Sequence, residues 1–241
     1  MSTTIVIPCY NEEKRLDKDA FLKYINNNSA VNFLFVNDGS KDNTIGVLKE
    51  LCEGQTQLHY FDLERNGGKA EAVRRGMLHA AETTDSEYIG FWDADLATPL
   101  FEIDNFLREM RRGNYSIVTG LRLKRLGAGV NRKTMRHYLG RCFATSASIG
   151  LRLPVYDTQC GAKLYKAAVV SELFADTFIT RWLFDVELLA RFKKIHGIEK
   201  AVTEIYEYPL IEWKDVTGSQ IKMRDFFKGP YELLKIINHY R

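Results

Sequence analysis

The first half of the chain alternates short apolar runs with longer segments of mixed polarity. The apolar runs predict strands, the third of them partly exposed, at Thr4–Pro8, Asn32–Asn37, Leu58–Leu63, Glu87–Trp92 and Tyr115–Thr119. The segments between them predict helices at Glu12–Asn26, Asp42–Cys52, Lys69–Ala81 and Leu100–Arg112. Strands separated by such helices form βαβ units, so we expect an α/β fold with a mainly parallel central sheet flanked by helices.

The second half has longer amphipathic segments and fewer apolar runs. Helical spacing predicts helices at Asn131–Leu151 and Phe184–His196, the second ended by Gly197. Ala201–Tyr208 alternates in polarity and is expected to form a late strand.

Polar residues follow each of the first four predicted strands. The clusters are Pro8-Cys9-Tyr10-Asn11-Glu12-Glu13, Asn37-Asp38-Gly39-Ser40, Arg65-Asn66-Gly67-Gly68-Lys69 and Asp93-Ala94-Asp95. Since the carboxyl ends of parallel strands meet at one edge of a sheet, we expect the four loops to converge on one crevice, where such folds bind ligands.

The last cluster carries the most chemistry, because Asp93 and Asp95 directly follow a buried strand. Two ionised carboxylates cannot both be buried without a partner. Mg²⁺ or Mn²⁺ takes one or two carboxylates and completes its shell with substrate phosphates and water. Surface Asp pairs are common, so this triplet indicates a metal-held diphosphate only together with the other loops.

Each of the other loops has two interpretations. Asp38 is either a turn residue or a hydrogen-bond acceptor for the N–H of a nucleoside base. Gly67-Gly68 is either a flexible turn or a close backbone approach to a ligand, with Lys69 supplying charge to a phosphate. Glu12 and Glu13 are either site residues or favourable acids in a first helical turn.

Charge is uneven along this chain of 241 residues, although its net charge is only +3. No Asp or Glu occurs between Met110 and Tyr156, a stretch that contains ten Lys and Arg: Arg111, Arg112, Arg122, Lys124, Arg125, Arg132, Lys133, Arg136, Arg141 and Arg152. Such a field favours a phosphate, a polyanion or an anionic membrane. These arginines are not interleaved with exposed aromatics in a known module, so we expect no nucleic-acid partner.

The tail from Met223 to Arg241 mixes aromatic, aliphatic and basic residues, and Gly229-Pro230 predicts a break into two helical pieces. It either lies in a membrane interface or packs on the core or on a second subunit. No apolar run approaches the roughly 20 residues of a membrane span, and the first strand follows the N-terminus directly. With four scattered cysteines that predict reduced thiols, we expect a cytoplasmic protein, with a peripheral place on the cytoplasmic face of a membrane as an option.

The four loop motifs, IVIPCYNEE, FVNDGSKDNT, NGGKAEAVRRG and FWDADLATP, resemble those of the family 2 glycosyltransferases. Three later motifs, YDTQCGAKLYK, RWLFDVELL and WKDVTGSQ, resemble the polyprenyl-phosphate branch that contains the dolichyl-phosphate β-glucosyltransferases. The resemblance runs from Thr4 to Gln220. It implies a Rossmann-like GT-A fold in one catalytic domain, 1–220, with a nucleotide-sugar half at 1–120, an acceptor half at 121–220, and an amphipathic tail at 221–241.

The resemblance also implies roles for individual residues. Donor-binding residues would be Pro8, Tyr10, Glu12, Asp38, Lys69 and Asp93. The metal would be held by Asp93 and Asp95. Acceptor-binding residues would be Arg122, Arg136, Gln159, Arg181 and Trp182, with Asp157 and Asp185 lining the same region. The sequence departs from the usual family pattern at Ala70, at Gly140 and at Ala97, and the last of these differs from mannose synthases.

An inverting transfer develops charge on the departing diphosphate, which the metal at Asp93 and Asp95 would neutralise. A lipid phosphate acceptor is already ionised and needs no general base. A sugar hydroxyl needs a carboxylate base, and Asp185 and Asp157 are the candidates for that role. Asp95 would be catalytic through the metal that it holds. For Asp185 and Asp157 a structural ion pair is an equally good interpretation.

The favoured function is transfer of glucose from UDP-glucose onto polyprenyl phosphate with a divalent cation, Mg²⁺ or Mn²⁺. Alternatives are a GDP-mannose donor and a soluble glycan acceptor in surface-polysaccharide synthesis. A non-catalytic nucleotide-sugar binding protein has little need of the acidic triplet. A nucleotidyltransferase would carry a Gly-rich, Arg-containing N-terminal loop, which PCYNEE is not.

Overall fold

The computed structural model describes residues 2–131, 134–215 and 223–241, with side chains placed except at 131, 134–139 and 223–227. The chain forms two compact units. The first consists of Met1–Leu96 and Gly161–Thr177, and the second of Ala97–Cys160 and Phe178–Arg241.

The helices and strands of the described residues are, in chain order, β1 (Thr3–Cys9), α1 (Lys18–Ile25), β2 (Val31–Asp38), α2 (Thr44–Cys52), β3 (Leu58–Leu63), α3 (Lys69–Thr83), β4 (Tyr88–Trp92), α4 (Glu102–Gly113), β5 (Ile117–Leu121), β6 (Gly129–Asn131), α5 (Thr134–Leu151), β7 (Ala162–Lys166), α6 (Ala167–Phe174), α7 (Phe184–His196), α8 (Ile198–Glu204), β8 (Ile205–Pro209), β9 (Glu212–Lys214) and α9 (Met223–Tyr240).

The sheet of the first unit has the order β3-β2-β1-β4-β7. The first four strands are parallel, as the βαβ pattern predicts, and β7 runs antiparallel to β4. One face is covered by α1, whose Phe21 meets Phe33 and Phe35 edge to face at 5.1 and 4.9 Å between ring centroids. Helix α3 packs on the sheet at Gly76, where a Cβ would collide with Val6 and Val36.

This arrangement places the ends of β1, β2, β3 and β4 on one edge of the sheet. The carboxyl-terminal residues of these strands are Cys9, Asp38, Leu63 and Trp92, and all four are buried. The four polar loops begin immediately after them, so the parallel strands alone bring the predicted site loops to one edge.

The second unit contains two short parallel strand pairs, β5 with β8 and β6 with β9. Helix α9 contacts both α5 and α7. Gly150 of α5 lies so close to Ile237 of α9 that a Cβ there would collide with it. No helix within the described ranges is both long enough and apolar enough to span a bilayer.

Three expectations about elements differ from the structure. Helix α1 begins at Lys18 rather than Glu12, because the Asp17 carboxylate caps it by accepting a 3.0 Å hydrogen bond from Ala20 N. Residues 201–204 belong to α8, where Ala201 N donates to the carbonyl of Gly197 as in a helix, so the strand begins only at Ile205.

Helix α9 also continues through Pro230 instead of breaking there. A proline removes one backbone donor, at a loss of about 3 kcal/mol in a helix interior. Burial of Leu233 and Ile236 on the inner face of α9 offsets this loss.

Candidate active site

The loops after β2 and β3 are joined by the carboxylate of Asp38. Its Oδ1 accepts a hydrogen bond from Gly67 N at 2.8 Å, and its Oδ2 accepts from Gly68 N at 2.9 Å and from Asn66 Nδ2 at 3.0 Å. Gly39, with φ +56°, passes so close to Asn66 that a side chain would not fit. Asp38 is buried at the end of β2, and its hydrogen bonds fix the conformation of the glycine loop.

The loop after β1 is fastened to the start of α2. Asn11, with φ +54°, donates its backbone N–H to Ser40 Oγ at 3.0 Å and accepts from Lys41 N at 2.8 Å through its side chain. Glu12 N donates to Thr44 Oγ1 at 2.8 Å. Pro8 and Tyr10 flank this loop and are half-buried.

Asp42 belongs to the same junction. Burial acts to raise the pKa of its carboxyl, but hydrogen bonds from the Thr44 hydroxyl, at 2.5 Å, and from Thr44 N outweigh it and hold the pKa below its usual value. Asp42 therefore stays ionised beside the loop after β1.

The Glu12 carboxyl connects this loop to the acidic triplet. Burial raises its pKa, Arg15 at 3.4 Å opposes the rise, and the negative charges of Asp95, Asp42 and Asp93 add to it. Its Oε2 is buried and has no hydrogen-bond partner. The loops after β1 and β4 thus form one acidic cluster in which a cation would relieve the repulsion.

The acidic triplet is held at the end of β4 by its own backbone. Asp93 N donates to the carbonyl of Gly161 at 2.9 Å, and Leu96, with φ +51°, closes a turn onto the carbonyl of Asp93. The Asp93 carboxylate lies over Gly161, where a Cβ would collide with it. Asp93 Oδ1 pairs with Lys69 Nζ at 2.5 Å, so the structure brings the predicted phosphate-binding lysine to the predicted metal ligand.

A divalent cation fits the donor set of this cluster, because Glu12, Asp93 and Asp95 all offer carboxylate oxygens, and Glu12 Oε2 accepts no hydrogen bond. Within the described ranges, no three His, Cys, Asp or Glu side chains already stand in metal-ligand geometry. Mg²⁺ needs only one or two protein carboxylates when substrate phosphates complete its shell.

In the second unit, Arg122 and Asp157 form a bidentate ion pair. Arg122 Nε lies 2.7 Å from Oδ2 and a terminal guanidinium nitrogen 2.7 Å from Oδ1, while the Arg122 backbone N–H donates to Oδ2. Gln159 N donates to Oδ1 at 3.2 Å. Both side chains are largely buried, so Asp157 has the ion-pair role that the sequence left open beside catalysis.

Glu207, which the sequence did not single out, and Trp213, the tryptophan of the WKDVTGSQ motif, hold this pair in place. Glu207 of β8 accepts the backbone N–H groups of Tyr156 and Asp157 at 2.7 to 2.9 Å. Trp213 of β9 lies under Arg122, with 5.5 Å between the guanidinium carbon and a ring centroid.

The position of Trp213 depends on a buried carboxylate on α4. Glu102 is fully buried and accepts the backbone N–H groups of Ile211, at 2.6 Å, and of Glu212, at 3.1 Å, in the turn that leads into β9. The acidic residue at the start of α4 carries no sequence motif that would reveal this role.

The segment before α7 carries Arg181 and Trp182, both exposed, and Asp185, which is buried in the first turn. Glu187 anchors the segment because its Oε2 accepts Ile179 N at 2.9 Å. Its Oε1 binds Arg191 at 2.8 Å and accepts the Tyr240 hydroxyl at 2.9 Å. Burial and the Glu187 hydrogen bond raise the pKa of Tyr240 to about 12.

Several of the predicted site residues meet at two places in the structure, while Arg181, Trp182 and Asp185 stay together at the start of α7. The structure brings together Glu12, Lys69, Asp93 and Asp95 in the first unit, with Asp38 shaping the glycine loop beside them. Arg122, Asp157 and Gln159 meet in the second unit. The Arg136 side chain, and residues 216–220 of the WKDVTGSQ motif, lie outside the described part of the chain.

A family model described as glycosyl transferase family 2 matches residues 4–174. A dolichyl-phosphate beta-glucosyltransferase of Trichomonas vaginalis is 31% identical over 252 residues, covering 99% of this chain and 72% of that protein. The dolichyl-phosphate beta-glucosyltransferase of Saccharomyces cerevisiae is 31% identical, covering 91% of this chain and 69% of the relative. The human protein of that name is 29% identical, covering 90% and 69%.

Solved structures share the fold at low identity. Glucosyl-3-phosphoglycerate synthase from Mycobacterium tuberculosis, in complex with Mn²⁺, uridine-diphosphate and glucosyl-3-phosphoglycerate, has a TM-score of 0.70 at 15% identity, covering 99% of this chain and 79% of that chain. S. aureus TarS has a TM-score of 0.64 at 15% identity, covering 100% and 65%. The expected GT-A-type α/β fold is confirmed. Because the family model spans most of the chain and relatives align over nearly its full length, the chain belongs to glycosyl transferase family 2 and is a glycosyltransferase.

Proposed function

We propose that this enzyme transfers glucose from UDP-glucose to a polyprenyl phosphate such as dolichyl phosphate, with inversion at the anomeric carbon. The observation that carries the proposal is the acidic cluster of Glu12, Asp93 and Asp95 with Lys69 paired to it, at the carboxyl edge of a parallel sheet. That edge is where such sheets bind nucleotides. The names of the relatives that align over the chain support glucose and a dolichyl phosphate.

The donor is assigned to the first unit. Asp93 and Asp95 would hold Mg²⁺ or Mn²⁺, which supplies positive charge for a diphosphate leaving group. Lys69 at the start of α3 adds a second positive charge near the same carboxylates. The backbone of Gly67-Gly68, fixed by Asp38, offers the close approach that a nucleotide needs. Pro8 and Tyr10 would flank the nucleoside.

The acceptor is assigned to the second unit, in the chain stretch without acidic residues. A lipid phosphate is ionised at neutral pH, so no side chain has to remove a proton from it. This agrees with the engagement of Asp157 by Arg122, because a carboxylate in a bidentate ion pair is a poor base. Asp185 stays the candidate base if the acceptor is a sugar hydroxyl.

Contact with a membrane surface is part of the same proposal. Helix α9 packs against α5 and α7, yet Tyr231 and Leu234 on it are 73% and 58% exposed beside Lys228 and Lys235. An aromatic and aliphatic surface with basic residues suits the cytoplasmic face of an anionic bilayer.

The test is transfer of radiolabelled sugar to a short-chain polyprenyl phosphate, with UDP-glucose and GDP-mannose compared in Mg²⁺, Mn²⁺ and EDTA. We expect label from UDP-glucose in the organic phase, lost in EDTA and in Asp95→Asn. The control is Asp85→Asn, an exposed carboxylate before β4. Transfer from GDP-mannose alone would overturn the donor assignment. Transfer to a soluble glycan in place of the lipid would overturn the acceptor assignment.

A further inference from the structure

Arg122 brings little uncompensated charge to an incoming anion. Asp157 takes two of its guanidinium nitrogens in a bidentate pair at 2.7 Å, and both side chains are largely buried. A phosphate that approached Arg122 would also meet the Asp157 carboxylate. The attraction for a phosphate in this part of the second unit therefore needs another cation.

Arg141 of α5 is a cation held against the same loop as Asp157. Its guanidinium carbon lies 3.2 Å from the centroid of the Tyr156 ring, and one terminal nitrogen donates to the Tyr156 carbonyl at 2.9 Å. No carboxylate among the described side chains pairs with it. A guanidinium has five N–H donors in a planar fork that fits a phosphate.

The same loop fixes both arginines. Tyr156, which supports Arg141, and Asp157, which holds Arg122, are consecutive residues, and Glu207 accepts the backbone N–H of each. The backbone that holds the two guanidinium groups is thereby fixed to β8. Arg141 also belongs to the acid-free stretch, so its own segment adds no compensating charge.

We propose that Arg141 binds the phosphate of the acceptor, with the Tyr156 ring and carbonyl holding its guanidinium in place. The Arg122–Asp157 ion pair lies on the next residue of the same loop, and Glu207 positions that loop for both arginines. This inference rests on the proposed function, because it assigns a residue to the phosphate of the lipid acceptor.

The test compares Arg141→Gln, Arg141→Lys and a matched control, Arg152→Gln. Arg152 is an exposed arginine just after α5, and its backbone N–H donates to the carbonyl of Ile149 at 3.2 Å. The readouts are the KM for a short-chain polyprenyl phosphate, the KM for UDP-glucose, kcat, and the direct affinity for the same lipid phosphate by calorimetry without donor.

For Arg141→Gln we expect an acceptor KM and an acceptor Kd raised by about tenfold or more, since a charge-assisted hydrogen bond contributes at least that factor. The KM for UDP-glucose should stay unchanged. The acceptor KM and Kd of Arg141→Lys should lie between those of the wild type and Arg141→Gln, because lysine keeps the charge but lacks the planar guanidinium that stacks on Tyr156. Arg152→Gln should match the wild type, and a thermal unfolding curve checks that each variant is folded.

Equal loss of acceptor affinity in Arg152→Gln would mean that net charge alone acts, and would overturn the assignment to Arg141. Unchanged acceptor KM and Kd in Arg141→Gln would overturn it while leaving the proposed function intact. If the wild type binds the lipid phosphate but transfers nothing, the proposed function fails and the Kd values still decide the role of Arg141. A wild type that binds no lipid phosphate overturns both.

Discussion

At the residue scale, Asp38 is a predicted site residue whose carboxylate holds a neighbouring loop in place. Its two carboxylate oxygens accept from Asn66, Gly67 and Gly68, residues that lie 28 to 30 positions further along the chain. The glycine loop that would approach a nucleotide is therefore held by the carboxylate at the end of the neighbouring strand.

Replacing Asp38 by Asn should disturb this loop without changing its size. The new amide nitrogen would face N–H donors in place of an oxygen, so we expect a loss of about 1 to 3 kcal/mol in the free energy of unfolding. UDP affinity should fall with it. Urea denaturation and calorimetry with UDP measure the two effects, and an unchanged stability would show that the loop does not depend on Asp38.

Glu12 provides a pH dependence whose direction follows from its surroundings. Burial and three nearby carboxylates raise its pKa in the folded protein, despite Arg15. An acid with a raised folded-state pKa holds its proton longer when folded than when unfolded, so its ionisation destabilises the fold. The penalty is absent below the ordinary Glu pKa and grows as the pH rises from there through the raised value.

Glu12→Gln should therefore stabilise the protein at neutral pH relative to the wild type, and the difference should shrink as the pH falls to about 4, near the ordinary Glu pKa. Urea unfolding at several pH values in EDTA measures this difference. A Gln variant whose relative stability does not change with pH would contradict the raised pKa.

At the element scale, the fit of α3 on the sheet depends on one residue without a side chain. A Cβ at Gly76 would lie 2.5 Å from Val6 Cγ1 and 2.7 Å from Val36 Cγ2, both in the packed core. By contrast, the three atoms nearest to a Cβ at Gly46 in α2 all belong to the side chain of Asn43, which can move.

These two glycines form a matched pair for mutation. Gly76→Ala should destabilise the protein by about 1 to 3 kcal/mol through overpacking, although alanine is the better helix former. Gly46→Ala should be neutral or stabilising by up to about 1 kcal/mol. Equilibrium denaturation of both variants decides the matter, and equal effects would mean that α3 adjusts its distance from the sheet.

At the scale of the whole molecule, the sequence predicted the features that depend on neighbouring residues and missed those that depend on distant ones. The four parallel strands and their polar loops follow from apolar runs and βαβ spacing, and the loops do meet at one edge. Glu207 was not predicted, because its partners Tyr156 and Asp157 lie 51 and 50 residues away. The short β6, β7 and β9 likewise depend on pairing with distant strands, and their 3 to 5 residues carry little periodicity.

The acidic cluster at the sheet edge makes a final prediction about the stability of the entire fold. The carboxylates of Asp93 and Asp95 repel that of Glu12, and a bound cation with UDP would relieve that repulsion in the folded state only. UDP with Mn²⁺ at a hundredfold excess over its Kd should stabilise the protein by about 2.7 kcal/mol. UDP in EDTA should stabilise the protein less. The additional stabilisation by Mn²⁺ should be lost in Asp95→Asn and kept in Asp85→Asn. Thermal unfolding measures these differences without any transfer reaction. An equal rise in Tm with and without Mn²⁺ would mean that the nucleotide binds without a metal, and would remove the cation from the acidic cluster.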